Sequence, residues 1–500
     1  MDEQRWENCE EEQLQQDLSA LLPPEDVVKG TTPWRRAMRQ ILAGLILGTI
    51  TFQFSWLPYL LPAAGSVLLW LGARTLRREN IGFRVFWLLT LMRTAYIYID
   101  LLALSSIRGQ RLTELLVSPG ALLLSTAVML AQIGCLGLGL SGVRKKAELP
   151  AYCGSIVALL VWYGVVCVLA LVQYAGWLLH LLLLCAYFFL IRSLYRLSSA
   201  LDEAGYLIKA APVWLSNGVL ALALAVALCA SIVVGCVFSC QYPMDWSLRQ
   251  ETEQAQQEPL RQQLLDLGFP QEVLDDLSAE DLAECQGALR VVTTEEDIAV
   301  NPGRRVTTIQ DGALVSTTEY DVKEMHMTGV AMELPGTRER WRIYHHFRWA
   351  VDPGFRGTDA LQLWPLNEGW SQKGAVTGRV LCEREGQVYT APYYQLQQIT
   401  YQNQSWFMGT STRSDWFAAF SFPQDGTECR GYVSYEAAEN EDGWLMDSWA
   451  NYVYQKKWCY PAQTGVDYRM RNAMSLDDVF VTLQYALQFD PNELEGTAIG

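Results

Sequence analysis

The chain has 500 residues, half of them apolar and 18% charged, with a formal net charge of -16. That length leaves room for about two to four domains, and a net-acidic chain lacks the basic footprint that nucleic acid demands of a partner. The charge is also divided by segment. Residues 1–34 hold nine acids against two bases, residues 35–240 hold sixteen bases against six acids, and residues 241–500 hold 39 acids against 20 bases. Acidic ends around a basic, apolar middle point to different compartments rather than one mixed surface.

Residues 1–36 read as an acidic cytoplasmic tail. They contain no cationic stretch followed by an early apolar run, so they do not read as a signal peptide, and insertion falls to the first membrane helix. Leu14, Leu18, Leu21 and Leu22 recur at helical spacing, which would suit a short amphipathic helix. The acidic surroundings favour a solvated tail. Pro23, Pro24 and Pro33 end any helix before the membrane.

Residues 37–240 read as the membrane domain. Apolar runs close to the roughly 20 residues that a bilayer requires occupy 85–107, 121–140, 156–175, 177–191 and 213–239. The stretch 41–73 is harder, because its 33 residues carry no charge. As one helix it would measure about 50 Å, against a hydrocarbon core of about 30 Å. Pro58 and Pro62, with Trp56 and Tyr59 beside them, suit a turn at a membrane surface.

Charge parity decides between one span and two. If 41–73 is a hairpin, the chain has seven spans and thirteen bases fall on one side, in the clusters 35–39, 74–84, 144–146 and 192–209. The short loops of the other side then hold only Arg108 and Arg111. Cytoplasmic loops carry the excess of Lys and Arg. The expected topology is therefore a multi-pass cell-membrane protein with its N-terminus cytoplasmic and its C-terminal half extracytoplasmic. A re-entrant hairpin would leave this parity unchanged.

Ionisable residues inside spans are costly and mark candidate function. Arg93 and Asp100 lie seven apart in one span, so they share a helical face about 10 Å apart along the axis. Either they form a polar track or neighbouring helices satisfy them. His180, near the outer end of a later span, reads as a hydrogen-bonded packing residue. Gly139-Leu140-Ser141-Gly142 resembles the G-x-S-G of rhomboid-type intramembrane serine proteases, whose serine pairs with a histidine in a later helix. His180 is the only later membrane histidine, and it belongs at the opposite surface about 20 Å away. A nucleophile and its base must be within hydrogen-bond reach, so the protease reading is not adopted.

Residues 241–285 read as an extracytoplasmic helical neck. Gly268 and Pro270 punctuate short helices, and Ser278 with Asp281 resembles a capping box. From residue 286 onward the pattern changes to strands, about ten of them over the rest of the chain, which predicts an all-β sandwich-like domain at 286–500. Asp311-Gly312, Glu385-Gly386 and Asp425-Gly426 are hairpin signals. Aromatic residues crowd this domain. Trp444, Trp449 and Trp458 fall on irregular polar stretches and are the candidates for a ligand face, since Trp stacks on sugars and apolar ligands.

Catalytic motifs are missing from the sequence. None of the four histidines belongs to an H-E-x-x-H, and neither a G-x-S-x-G nor a phosphate loop occurs. No metal site and no cofactor are expected. The twelve cysteines include no C-x-x-C, and spacing cannot assign a disulfide among Cys382, Cys429 and Cys459. The leading functional expectation is a non-enzymatic integral membrane protein. Embedded in the lipid bilayer, it would display its β-domain to an envelope polymer, a glycan or another membrane protein. The alternative is a transport component that uses the polar residues of the 85–107 span.

Overall fold

The uncharged stretch 41–73 is carried by two helices, α1 (Pro33–Thr49) and α2 (Leu57–Leu76). They belong to a computed structural model that describes residues 33–50, 57–172, 176–204, 206, 208, 215–238, 240–249, 257–300, 304–310, 313–319, 325–351, 353–405, 409–471 and 479–492. The leucine-spaced segment at 10–22 lies outside the described residues. Glycine lets α1 and α2 close on each other. A β-carbon on Gly44 would stand 2.6 Å from the Gly65 carbonyl oxygen, and one on Gly72 would stand 2.7 Å from the Ala37 carbonyl oxygen. Rising positions on α1 thus meet falling positions on α2, and the pair is antiparallel. Small residues at such a crossing bring the backbones together where lipid offers no hydrophobic drive.

Six more helices follow: α3 (Ile81–Ala103), α4 (Gln110–Leu116), α5 (Pro119–Lys146), α6 (Gly154–Leu171), α7 (Trp177–Glu203) and α8 (Asn217–Phe238). Local chemistry starts two of them. Asn80 Oδ1 accepts from the Phe83 amide at 3.0 Å and caps α3. Ser118 caps α5 with Pro119 in its first turn, the position where a missing N–H costs nothing. Among the described residues, α2, α3, α5, α6, α7 and α8 are long and apolar enough to cross a membrane, which marks the chain as a membrane protein. α1 is 17 residues long and opens on Arg35, Arg36 and Arg39, so it stands outside that set.

One end of this helical unit gathers the basic segments. Trp34 Nε1 donates to the Ser198 carbonyl at 3.1 Å, and Arg144 Nε donates to the Pro150 carbonyl at 2.7 Å. Lys146 Nζ reaches the Glu79 carbonyl at 3.0 Å and its carboxylate at 3.8 Å, and Tyr206 donates to that carboxylate at 3.0 Å. The start of α1 and the ends of α2, α5 and α7 therefore meet, bringing together all four basic clusters.

The chain divides into this helical unit (1–104 and 109–232) and a second compact unit (105–108 and 233–500). The second unit is built of antiparallel sheets. Its strands are β1 (Ser247–Leu248), β2 (Arg290–Ile298), β3 (Arg304–Gln310), β4 (Ala313–Glu319), β5 (Met325–Leu334), β6 (Arg340–Trp349), β7 (Asp359–Leu363), β8 (Trp370–Arg384), β9 (Gln387–Pro392), β10 (Gln395–Ser405), β11 (Gly409–Phe420), β12 (Thr427–Glu439), β13 (Met446–Gln455) and β14 (Phe480–Phe489). They form a seven-stranded sheet, β1-β9-β8-β12-β6-β5-β2, a five-stranded sheet, β10-β11-β7-β13-β14, and the separate hairpin β3-β4. Trp341, Ile343, Phe347 and Val433 of the larger sheet pack with Leu361, Phe420, Tyr452 and Leu487 of the smaller in one core, the arrangement of a sandwich.

Two of the three expected turns make hairpins. Gln310 pairs with Ala313 across 311–312, and those two turn residues lie outside the described ones. Arg384 pairs with Gln387 across Glu385 and Gly386, whose φ of 51° and 75° are the paired positive values of a tight type I′ turn. The third expectation is corrected. Asp425-Gly426 joins β11 of the smaller sheet to β12 of the larger, so the chain crosses the sandwich there instead of folding back beside itself. Phe420 and Phe422 are drawn into the core at the crossing.

The segment read as a neck packs onto the β-domain. The helices α9 (Glu258–Asp266), α10 (Gln271–Asp276) and α11 (Ala279–Ala283) bury Leu264, Phe269, Leu274 and Leu282 against Val330, Met332, Tyr344 and Tyr432 of the seven-stranded sheet. Ser278 caps α11 by accepting from the Asp281 amide at 3.0 Å, as the capping pattern implied. A last short helix, α12 (Gly465–Arg471), lies over part of the smaller sheet.

Candidate functional site

Side chains alternate across a strand, and in the five-stranded sheet that alternation separates two environments. Leu361, Leu363, Ala418, Ala450, Tyr452 and Leu483 face the core. The intervening positions form the opposite face, where Gln362 lies across from Asn451, and Asn451 from Gln484. One part of that face is apolar. Ala360, Phe417, Ala419, Val453 and Phe480 cluster there with Val466 of α12, and Tyr468 stacks on Phe480 at 5.2 Å between centroids. The rest is polar and aromatic, and it is the candidate site.

Asp415 anchors its buried layer. The carboxylate is fully buried and accepts from Tyr401 Oη at 2.6 Å and from Gln362 Nε2, with the Arg413 guanidinium 3.7 Å away. Gln362 Oε1 accepts in turn from Arg469 Nε of α12 at 2.7 Å and from Asn451 Nδ2 at 3.2 Å. Burial, together with the Asp415 charge, pushes the Tyr401 hydroxyl up to about 12. Burial likewise lowers the Arg469 guanidinium below its usual value. These linked groups fix the surface above them, while Asp415 Oδ1 itself has no hydrogen-bond partner among the described residues.

Above that layer runs an aromatic ladder across β11, the end of β7 and β13. The Arg413 guanidinium sits 5.1 Å from the Trp364 ring, a cation–π distance. Trp364 stacks on Trp449 at 5.8 Å with 28° between planes. Trp449 Nε1 donates to Asp447 Oδ1, which also accepts from Gln488 Nε2 at 2.6 Å. Trp364 Nε1 has no hydrogen-bond acceptor among the described residues, and Gln484 is exposed at the sheet edge. The face therefore presents two half-buried indole rings, with the Trp364 N–H buried and the Trp449 N–H bonded to Asp447, beside amides, the Arg413 guanidinium and the Asp447 carboxylate. It holds no nucleophile beside a base, and no group of three metal-ligating side chains occurs among the described residues.

The three tryptophans singled out in the sequence occupy different places. Trp449 is in the ladder. Trp444 precedes β13, is 40% exposed, and lies against Gly369, where a β-carbon would stand 2.1 Å from its Cγ. Trp458 follows β13 and is 46% exposed. They flank a strand of ten residues, about 34 Å long at the usual rise, so they do not share one site with each other. Trp364, Gln362, Arg413 and Asp415 are the additions. The alternation Ala360-Leu361-Gln362-Leu363-Trp364 carries their signal, but it is only a few residues long.

The histidine pair faces two ways, as adjacent strand residues must. His345 points into the core, 2.6 Å from Ser448 Oγ, and burial lowers its pKa to about 3. His346 points to the other face and meets Asp276 at 2.9 Å.

In the helical unit, Arg93 donates to Gln132 Oε1 of α5 at 3.1 Å. Asp100 Oδ1 has no hydrogen-bond partner among the described residues, so the two ionisable groups of α3 are not brought together. His180 lies in the first turn of α7, its Nδ1 2.7 Å from the Gly176 carbonyl. α6 and α7 are antiparallel, with Ser155 and Ser193 hydroxyls 2.7 Å apart. A β-carbon on Gly137 of α5 would touch Ile156 at the same end. Ser141 is therefore near the level of Ser193, and His180 is thirteen residues, or about 20 Å, further along α7. That separation excludes a serine–histidine pair.

No protein-family model matches the chain, and no curated protein matches it either.

Proposed function

We propose that the chain is a seven-span protein of the cell membrane whose β-sandwich, on the extracytoplasmic side, binds a hydroxyl-rich envelope polymer or glycan at the outer face of its five-stranded sheet. The observation that carries this reading is the ladder Arg413–Trp364–Trp449–Asp447 over the buried Gln362–Asp415 layer. Core packing needs none of these side chains, because the other face of the same strands supplies the core. Aromatic rings beside fixed amide and charged groups are the mixture that sugars require, with apolar contact and directional hydrogen bonding together. Support for the topology comes from the antiparallel α1–α2 pair and from the gathering of the basic clusters at one end, which the positive-inside rule makes cytoplasmic.

The test uses the full-length protein in nanodiscs, presented to insoluble cell-wall polymer and to a glycan array. Wild type is expected to bind, and Trp449→Ala and Trp364→Ala each to weaken binding by about tenfold, on the scale of a lost stacking contact. Trp458→Ala, at the far end of β13, is expected to bind like wild type. Retention by neither matrix, or equal retention of all variants, would remove this face as the site.

A further inference from the structure

Arg93 is the thirteenth of the 23 residues of α3, which puts it about 18 Å from the helix start, near the centre of any bilayer that α3 crosses. Among the described residues it is within ion-pair reach of no carboxylate, and its partner is the neutral amide of Gln132. A cation at that depth without a counter-charge is costly. Two cavities flank it. The smaller, about 10 Å³, is lined by Gly48, Thr49, Ser66 and Tyr163 and has room for little more than one water. The larger, about 460 Å³, is walled by α3, α4 and α5 through Met92, Tyr96, Leu115, Leu124 and Val128. Its volume falls in the range of small-molecule sites, roughly 300–1,000 Å³. Met92, Leu115 and Leu124 are each more than half exposed, so its mouth opens on the outer surface of the bundle, where the acyl chains of a bilayer lie.

We propose that this cavity binds a long-chain carboxylic acid, its carboxylate on the Arg93 guanidinium and its chain along Leu115, Leu124 and Val128. Charge complementarity selects the anion, and the guanidinium fork matches a carboxylate in geometry. Depth selects the source. A phospholipid phosphate stays charged and would have to leave the headgroup layer, whereas a protonated fatty acid crosses the core uncharged. Overall, one proton is released to the bulk water for each acid bound, and the carboxylate remains, paired with the guanidinium. The apolar wall takes the chain, as burial of methylenes favours.

The experiment measures saturable binding of labelled oleate, above that of empty discs, to the full-length protein in zwitterionic nanodiscs. Methyl oleate is the uncharged control. Oleate is expected to saturate and methyl oleate to bind at least about tenfold more weakly, on the scale of a charge-assisted hydrogen bond. Arg93→Met is expected to lose the preference for the acid, while Arg93→Lys keeps part of it. Val128→Trp, which fills the cavity and leaves Arg93 in place, is expected to abolish binding without changing the melting temperature. Should Arg93→Met fail to fold, the lysine and tryptophan variants decide. Equal binding of oleate and methyl oleate, oleate binding unaffected by Val128→Trp, or no saturable oleate binding would overturn the proposal.

Discussion

Gly65 lies against Gly44 so closely that a β-carbon on either would enter the backbone of the opposite helix, 2.6 Å from a main-chain atom in both cases. Gly48, one turn further along α1, has nothing within 4 Å of where its β-carbon would stand. Gly65 of α2 and Gly48 of α1 therefore predict opposite outcomes. Gly65→Val should lower stability by about 1–3 kcal/mol, the usual cost of forcing extra atoms into a packed contact. Gly48→Ala should be neutral or slightly stabilising, because alanine is favoured over glycine in a helix by up to about 1 kcal/mol. Melting temperatures of the detergent-solubilised variants check this, and equal melting of Gly65→Val and wild type would deny the tight pair.

The proposed topology places Cys9 and the β-domain on opposite sides. Gln387 is exposed at the start of β9, so Gln387→Cys supplies a reporter. A membrane-impermeant maleimide added to intact cells is expected to label the Gln387→Cys protein well above wild type and to leave Cys9 untouched until the cells are opened. Labelling of both from one side would reverse the parity that residues 41–73 were read to give.

Asp276 ties α10 to the larger sheet. It is 2% exposed and accepts from His346 Nε2 at 2.9 Å and from Arg430 Nε at 2.9 and 3.0 Å. Burial works against its charge, but His346 and Arg430 together hold its carboxyl below the ordinary value. Asp276→Ala leaves buried donors behind and should cost about 3–5 kcal/mol. The depressed pKa sets the sign for acid. The stabilisation is complete above the unfolded value, near 4, and is lost as pH falls through the lower folded value. Urea midpoints by tryptophan fluorescence should therefore drop at acid pH in wild type. Asp276→Asn should be weaker at neutrality and show a shallower acid limb.

Long-range order determines how much of this was legible. The membrane character was plain because spans such as α6 and α8 are nearly free of charge, and the break in 41–73 followed from a length that no single span tolerates; the two prolines misplaced it, because Pro58 and Pro62 lie inside α2 and the break comes before Leu57. The hairpin at Glu385-Gly386 was legible because its turn conformation is local. Asp425-Gly426 misled for the same reason: a turn signal says that the chain reverses, and only the packing of Phe420 and Phe422 decides that the next strand joins the other sheet. Trp449 could be singled out as an aromatic on a polar stretch. Its partner Trp364 could not, because stacking between β7 and β13 joins residues 85 apart in sequence, at a strand pairing that no local pattern encodes.

Asp359 opposes Asp276 in its pH dependence. It is buried, and that burial raises its carboxyl to about 7, although Tyr452 Oη donates to it at 2.6 Å and the Gln455 amide at 3.2 Å. The raised pKa means that the folded state binds a proton which the unfolded state releases near pH 4. Stability is therefore full below that value, declines as pH rises, and levels off above about 7. About three pH units at 1.4 kcal/mol each set an upper scale of about 4 kcal/mol. Between the two carboxylates the domain should be most stable at mildly acid pH, with Asp276 setting the limb below and Asp359 the limb above. Asp359→Asn keeps a donor and an acceptor in the same volume but cannot ionise. It should flatten the limb between pH 4 and 8 and be more stable than wild type at pH 8 by about 2 kcal/mol, half of that scale. An unchanged slope in the asparagine variant would mean that another group controls the neutral limb.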